Sequence, residues 1–138
     1  MASYKRSSKN GLFLMELLLA VTFFCICAAV CMQVFVTAKQ QSDDSYALAN
    51  ASQLCAAAAE AYKGYGGDAG LAAAQVPRYY DAAWLPCEQA LAVYELRIDE
   101  AGADGRLRSA AIAVYRLTDE QPLFALDARA WAEVSGDV

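Results

Sequence analysis

The residue with most to explain in this chain is a carboxylate inside an apolar run. Glu16 is the only charge between Leu12 and Ala38, where Thr22, Gln33 and Thr37 are otherwise the only polar residues. An ionised carboxylate in hydrocarbon costs about 2.5–3.5 kcal/mol on insertion scales, so such an acid needs a partner. Two partners present themselves. Lys9 lies seven residues upstream, two helical turns away, and could meet a snorkelling acid near the interface. Alternatively, a chain cut after Gly11 would carry a new α-ammonium on Leu12, with Glu16 as its fifth residue.

The five cysteines form two groups. Cys25, Cys27 and Cys31 lie in the apolar run, where a thiol behaves as a small apolar side chain. Cys55 and Cys87 lie beyond it. A disulfide between them would clip a connecting segment to a helix, worth a few kcal/mol (about 3–4) on the entropy model; the alternative is two buried thiols. Asp99, Glu100 and Asp104 cluster as calcium ligands do, but without the ligand ladder and closing glutamate of an EF-hand loop. They read as a solvated hairpin tip. Gly64-Tyr-Gly-Gly-Asp-Ala-Gly70 is rich in glycine, but phosphate-binding loops run from a strand into a helix, and this one follows a helix. It reads as a helix stop. The chain has no histidine. That removes Ser-His-Asp and Cys-His nucleophiles, the HExxH zinc site and histidine proton shuttles. No enzyme activity, metal or cofactor is expected.

These residues must be carried by a small number of elements. The chain has 138 residues, 58 % of them hydrophobic, an excess concentrated near the N-terminus. Leu12 to Ala38 spans 27 residues, and about 20 suffice for a helix to cross a bilayer. No glycine or proline interrupts the chain between Gly11 and Gly64. Those 52 residues would make a helix about 78 Å long. Lys39 to Ser45 is polar; then Leu48, Ala51, Cys55, Ala58 and Tyr62 recur at spacings of three and four, one apolar stripe. Residues 64–89 connect, with a short helical turn at Leu71–Gln75. Pro77 and Pro86 argue against regular structure there, while Tyr79, Tyr80 and Trp84 suit packing or a binding surface.

The last third reads as three strands. Leu91–Asp99 alternates, with Tyr94, Leu96 and Ile98 on one face and Glu95, Arg97 and Asp99 on the other. Asp104-Gly105 signals a hairpin; Leu107–Leu117 and Leu123–Val134 follow as second and third strands. Sequential strands with short turns make an antiparallel meander, and its buried face needs the Leu48–Tyr62 stripe. The expected fold is α+β: a long N-terminal helix packed on a three-stranded sheet. The expected organisation is a basic leader over residues 1–11, a membrane helix over 12–38 and an outer domain over 39–138. In that domain the helix runs to about residue 63, the connection over 64–89 and the sheet over 90–134.

Charge divides along the same lines. Of 11 basic and 16 acidic residues, Lys5, Arg6 and Lys9 precede the span and Glu16 lies in it, leaving 8 and 15 for the outer domain. Basic flanks stay cytoplasmic, so the N-terminus should face in and the acidic domain out. An acidic domain repels a phosphate backbone, so direct nucleic-acid binding is not expected.

The stretch Lys9-Asn-Gly11 followed by Leu12-Phe-Leu-Met-Glu16-Leu-Leu resembles the type IV prepilin signal. It has a short basic leader ending in glycine, then an apolar helix with glutamate at mature position five. The resemblance to type IV pilins and type II secretion pseudopilins implies cleavage by a prepilin peptidase between Gly11 and Leu12. It further implies N-methylation of Leu12 and a role for Glu16 in docking into a filament of pilin or pseudopilin subunits. The localisation it implies is single-pass in the cell membrane, then a periplasmic or extracellular filament. The signal covers about 30 residues, and the rest resembles the family only in architecture. There are departures. Leu12 and Phe13 stand where the family usually has phenylalanine and threonine, and Gln33 stands at the usual helix-kinking proline. They bring the chain closer to a minor pilin or pseudopilin than to a major pilin. The competing expectation is a signal-anchored extracytoplasmic binding protein that is never processed.

Overall fold

The computed structural model describes the backbone over residues 2–132 and side chains from Lys9 onward. Of the expected elements, Met1 of the expected leader and residues 133–138, including the expected end of the third strand at Val134, lie outside the described residues. Two compact units meet between Asp43 and Asp44.

The breaker-free stretch is helical throughout. Helix α1 runs Ala2–Gly64 and passes through Gly11 without interruption. Residues 2–11, expected to be a leader, are therefore part of the helix. One glycine costs only about 1 kcal/mol relative to alanine, too little to end a helix with good formers on both sides. The real stop is the glycine cluster. The Gly67 amide donates to Tyr62 carbonyl oxygen at 3.0 Å and the Gly66 amide to that of Lys63 at 3.1 Å. These are the two bonds of a Schellman motif. They require left-handed backbone, which Gly66 (φ 62°) and Gly67 (φ 83°) supply. Asp68 then caps the short helix α2, Ala69–Gln75, its Oδ1 accepting from the Leu71 amide at 3.0 Å.

The sheet has four strands in the order β1-β2-β3-β4, all antiparallel: β1 Tyr79–Tyr80, β2 Tyr94–Asp104, β3 Leu107–Arg116 and β4 Pro122–Trp131. The three expected strands are present, and β1 is an addition. Two residues between Pro77 and Pro86 carry no strand periodicity, and β1 exists because β2 offers it an edge. Strand β2 also runs five residues past Asp99. A bulge between Glu100 and Gly102 absorbs the extra residue and lets pairing continue to Asp104. The hairpin closes through Gly105 (φ 62°) and Arg106, with glycine at the first central position of a II′ turn.

One face of this sheet is covered by α1. Ala51, Cys55, Ala58 and Tyr62 are fully buried against Leu96, Ala110, Ile112, Val114, Ala128 and Ala130. Alanines on both layers let helix and sheet approach closely, while Ile112 and Val114 each contribute about 1.5–3 kcal/mol by burial. The stripe begins at Ala47, which is buried, not at Leu48, which is 46 % exposed. At 100° per residue, positions 47 and 48 lie equally far, about 50°, on either side of the midline defined by 51, 55, 58 and 62, so periodicity alone does not choose between them.

Candidate functional site

The candidate site is the N-terminal part of α1. Gly11, Leu12 and Glu16 occupy consecutive turns of one helix. Leu12 and Glu16 stand four residues apart, hence on one face and about 6 Å apart along the axis. A β-carbon on Gly11 would meet nothing within 4 Å, so no packing contact requires glycine there. Glu16 is exposed, and among the described residues no basic side chain pairs with it, Lys9 included.

The surroundings are apolar and uncovered. Leu12, Phe13, Leu14, Met15, Leu17 and Leu18 are each half to two-thirds exposed, and the pattern continues to Val36. Among the described residues this is the one helix long and apolar enough to cross a membrane. Its hydroxyls are satisfied within the helix: Thr22 donates to the Leu18 carbonyl at 2.8 Å and Thr37 to that of Gln33 at 2.9 Å. Such bonding to the preceding turn lets threonine sit in lipid without an external partner. Glu16 has no equivalent. Cys25, Cys27 and Cys31 are exposed on the same surface as free thiols.

Cys55 and Cys87, the pair considered for a disulfide, are both free thiols. The sheet sets them apart. Cys55 is buried beneath β3, bonded to the Val114 backbone. Cys87 donates its amide to the Tyr79 carbonyl on the outer side of β1. Three strand spacings separate the two, about 14 Å laterally, and a disulfide needs about 4.4–6.8 Å between α-carbons. Burial pushes the Cys55 thiol up to about 11.

The aromatic residues of the connection are engaged in packing. Tyr80 is buried in the core. Trp84 stacks on Tyr94 with ring centroids 3.9 Å apart and planes 17° from parallel. That stack helps hold Trp84 at φ 63°, a left-handed conformation costly for a bulky residue. Asp81 supplies the remaining restraint, its Oδ1 accepting from the Ala83 and Leu85 amides at 2.9 and 3.0 Å. Tyr79 lies under the Arg78 guanidinium, 5.5 Å from ring centroid to Cζ.

Asp99, Glu100 and Asp104 are exposed around the β2–β3 hairpin. Among the described residues, no three acidic, cysteine or histidine side chains are placed to share a metal ion.

Glu95 departs from the expected solvated face. It is only 4 % exposed. Arg78 Nε and Nη2 donate to its Oε1 at 2.8 and 2.6 Å, and Arg97 Nε and Nη2 donate to its Oε2 at 3.0 and 2.8 Å. Arg97 in turn lies over the Tyr115 ring, 4.7 Å from its centroid. Alternation along β2 places Glu95 correctly on the outer face, but Arg78 reaches it only because β1 pairs there. No signal within the strand's own sequence announces that. Comparison with protein-family models, curated proteins and solved structures returned no match.

Proposed function

We propose that this chain is a non-enzymatic structural subunit, a minor pilin or pseudopilin, of a type IV pilus-like or type II secretion-like filament. Residues 1–11 would be removed by a prepilin peptidase at the cytoplasmic face of the membrane. The observation that carries this reading is Glu16: a single unpartnered carboxylate in an otherwise uncovered apolar helix, one turn beyond the Gly11–Leu12 bond.

The physical logic is as follows. An apolar surface of this extent needs a cover, first lipid and then neighbouring helices. Cleavage after Gly11 moves the helix start to Leu12 and creates a positive charge there. Glu16 then stands just beyond the first turn, where the helix dipole also favours an acid. In an assembly, the Glu16 carboxylate of one subunit and the α-ammonium of the next neutralise one another. Removing an unpaired charge from lipid makes this contact favourable, and its position sets the axial register of the helices. The long helix packed on a small antiparallel sheet supports the pilin-like reading, and the exposed apolar side chains from Leu12 to Val36 are available to bundle.

Co-expression with a prepilin peptidase should shorten the chain to begin at Leu12, read by intact mass. Gly11→Ala should abolish that shortening. Because Gly11 has open space around it, this substitution leaves the fold intact and reports on peptidase recognition. Glu16→Ala should be processed yet fail to enter filaments. An unchanged wild-type mass overturns the proposal in favour of an unprocessed membrane-anchored binding protein.

A further inference from the structure

Strand β4 closes one side of the sheet, and among the described residues nothing pairs with its outer edge. The opposite side is protected, because β1 and α2 both meet β2 there. The direction of the open groups on β4 follows from one bond. The Ala132 amide donates to the Arg106 carbonyl at 2.8 Å, so the even-numbered positions of this strand bond towards β3. Alternation turns the amides and carbonyls of Ala125, Asp127, Arg129 and Trp131 outward. Such a row of unpaired backbone groups is a template for another strand.

The side chains say which strand it fits. Ala128 and Ala130 are buried beneath α1, so the odd-numbered positions stand on the opposite face, and from Ala125 to Trp131 all of them are exposed. Asp127 and Arg129 form no ion pair among the described residues. When two such strands pair antiparallel, outward positions must meet outward positions. A pair centred on Asp127 sets that carboxylate against its own copy, and one centred on Arg129 sets two guanidinium groups together. Centred on Ala128, the same strands place Asp127 opposite Arg129 twice and Ala125 opposite Trp131 twice. Opposite charges directly across a ladder attract, and like charges repel. Trp131 is 70 % exposed, and the small Ala125 leaves room for its ring.

We propose that β4 is a self-pairing edge, joining the β4 of a second copy in antiparallel register about Ala128. The direction of α1 limits which copies meet. Cys55 bonds to the Val114 backbone and Tyr62 stands beside Arg108; Val114 pairs with Phe124 and Arg108 with Ala130, so α1 and β4 run the same way. A two-fold axis reverses both. The contact therefore joins copies from two separate assemblies rather than neighbours in one bundle of parallel helices, and it goes beyond the filament role proposed above. The paired segment is short beside the roughly 20–30 residues a side of a stable complex. One contact is thus weak and reversible, and repetition along two assemblies strengthens it.

The test is NMR of the isotope-labelled full chain at rising concentration, up to about 1 mM, in detergent micelles kept in excess over protein. Wild type should show saturable shifts centred on the amides of Ala125, Asp127, Arg129 and Trp131. Asp127→Arg alone and Arg129→Asp alone should each weaken the association about tenfold or more, because each sets like charges across the axis. An equal mixture of the two variants restores both ion pairs and should associate like wild type, with the shifts read on whichever variant is labelled. Ala125→Pro removes one outward amide without touching the bonds to β3 and should abolish the shifts. No concentration dependence at β4 in wild type overturns the proposal. So does wild-type association in either single variant, or a mixture no stronger than its components.

Discussion

Replacing Glu95 with glutamine tests, among the described residues, the buried charge network of the unit Asp44–Val138. Four hydrogen bonds of 2.6–3.0 Å converge on this carboxylate. In a dry site, bonds to a charged group contribute about 1.5–3 kcal/mol each. Here the arginine side chains are 60 % and 46 % exposed, so water competes for both and each pair falls towards the 0–1 kcal/mol of a surface pair. Glutamine keeps one acceptor oxygen, loses the charge and leaves two guanidinium groups facing each other. The expected loss at neutral pH is about 1–2 kcal/mol, and each kcal/mol lowers the melting temperature of a domain this size by about 4–8 °C. The pH dependence is the sharper signature. Hydrogen bonding from Arg97, opposed by burial and joined by Arg78, holds the Glu95 carboxyl below its usual range. A depressed carboxylate contributes stability above its unfolded pKa and loses it as pH falls through its folded pKa. The gap between wild type and Glu95→Gln should therefore be widest at neutral pH and close in acid. Thermal melts followed by near-UV circular dichroism across that range would read it, with Trp84 on Tyr94 as the neighbouring reporter. A gap that stays constant with pH, or a glutamine variant as stable as wild type at neutral pH, would refute the reasoning.

Other outcomes follow from the same structure. Gly67→Ala should destabilise the unit Asp44–Val138 by more than about 1 kcal/mol in chemical denaturation, because φ is 83° and the new carbon would stand 2.9 Å from Arg108 Cβ. Gly11→Ala should leave that stability unchanged, since nothing surrounds the position. Under oxidising preparation Cys55 and Cys87 should remain unlinked, with no mass change on reduction. Thiol reagents should modify half-buried Cys87 in the folded protein, slowly because burial and the Asp81 and Glu88 charges push its thiol up, and Cys55 only on unfolding, because Cys55 is buried and its thiol is raised to about 11.

The sequence by itself determined the elements whose causes are local. The breaker-free run between Gly11 and Gly64 makes the helix, the glycine cluster ends it, and Gly105, with Arg106, turns the hairpin that Asp104-Gly105 signals. The uncovered apolar half of α1 and its single acid were legible too, because hydropathy and charge need no neighbours to be read. Features that depend on what lies across the sheet were decided by the tertiary structure alone. Strand β1 has two residues and exists because β2 presents an edge. Glu95 looked solvated until β1 brought Arg78 beside it. Cys55 and Cys87 were plausible partners along the chain, yet Cys55 meets the Val114 backbone of β3 while Cys87 lies beyond the β1 edge, and both are free thiols. The Tyr62 hydroxyl is the clearest case. The stripe correctly makes this ring part of the core, but whether its oxygen finds a partner depends on a bulge, a glycine and an arginine from two other elements. Backbone propensity and periodicity are short-range and can be read along a chain; the satisfaction of a buried polar atom is set by groups far apart in sequence.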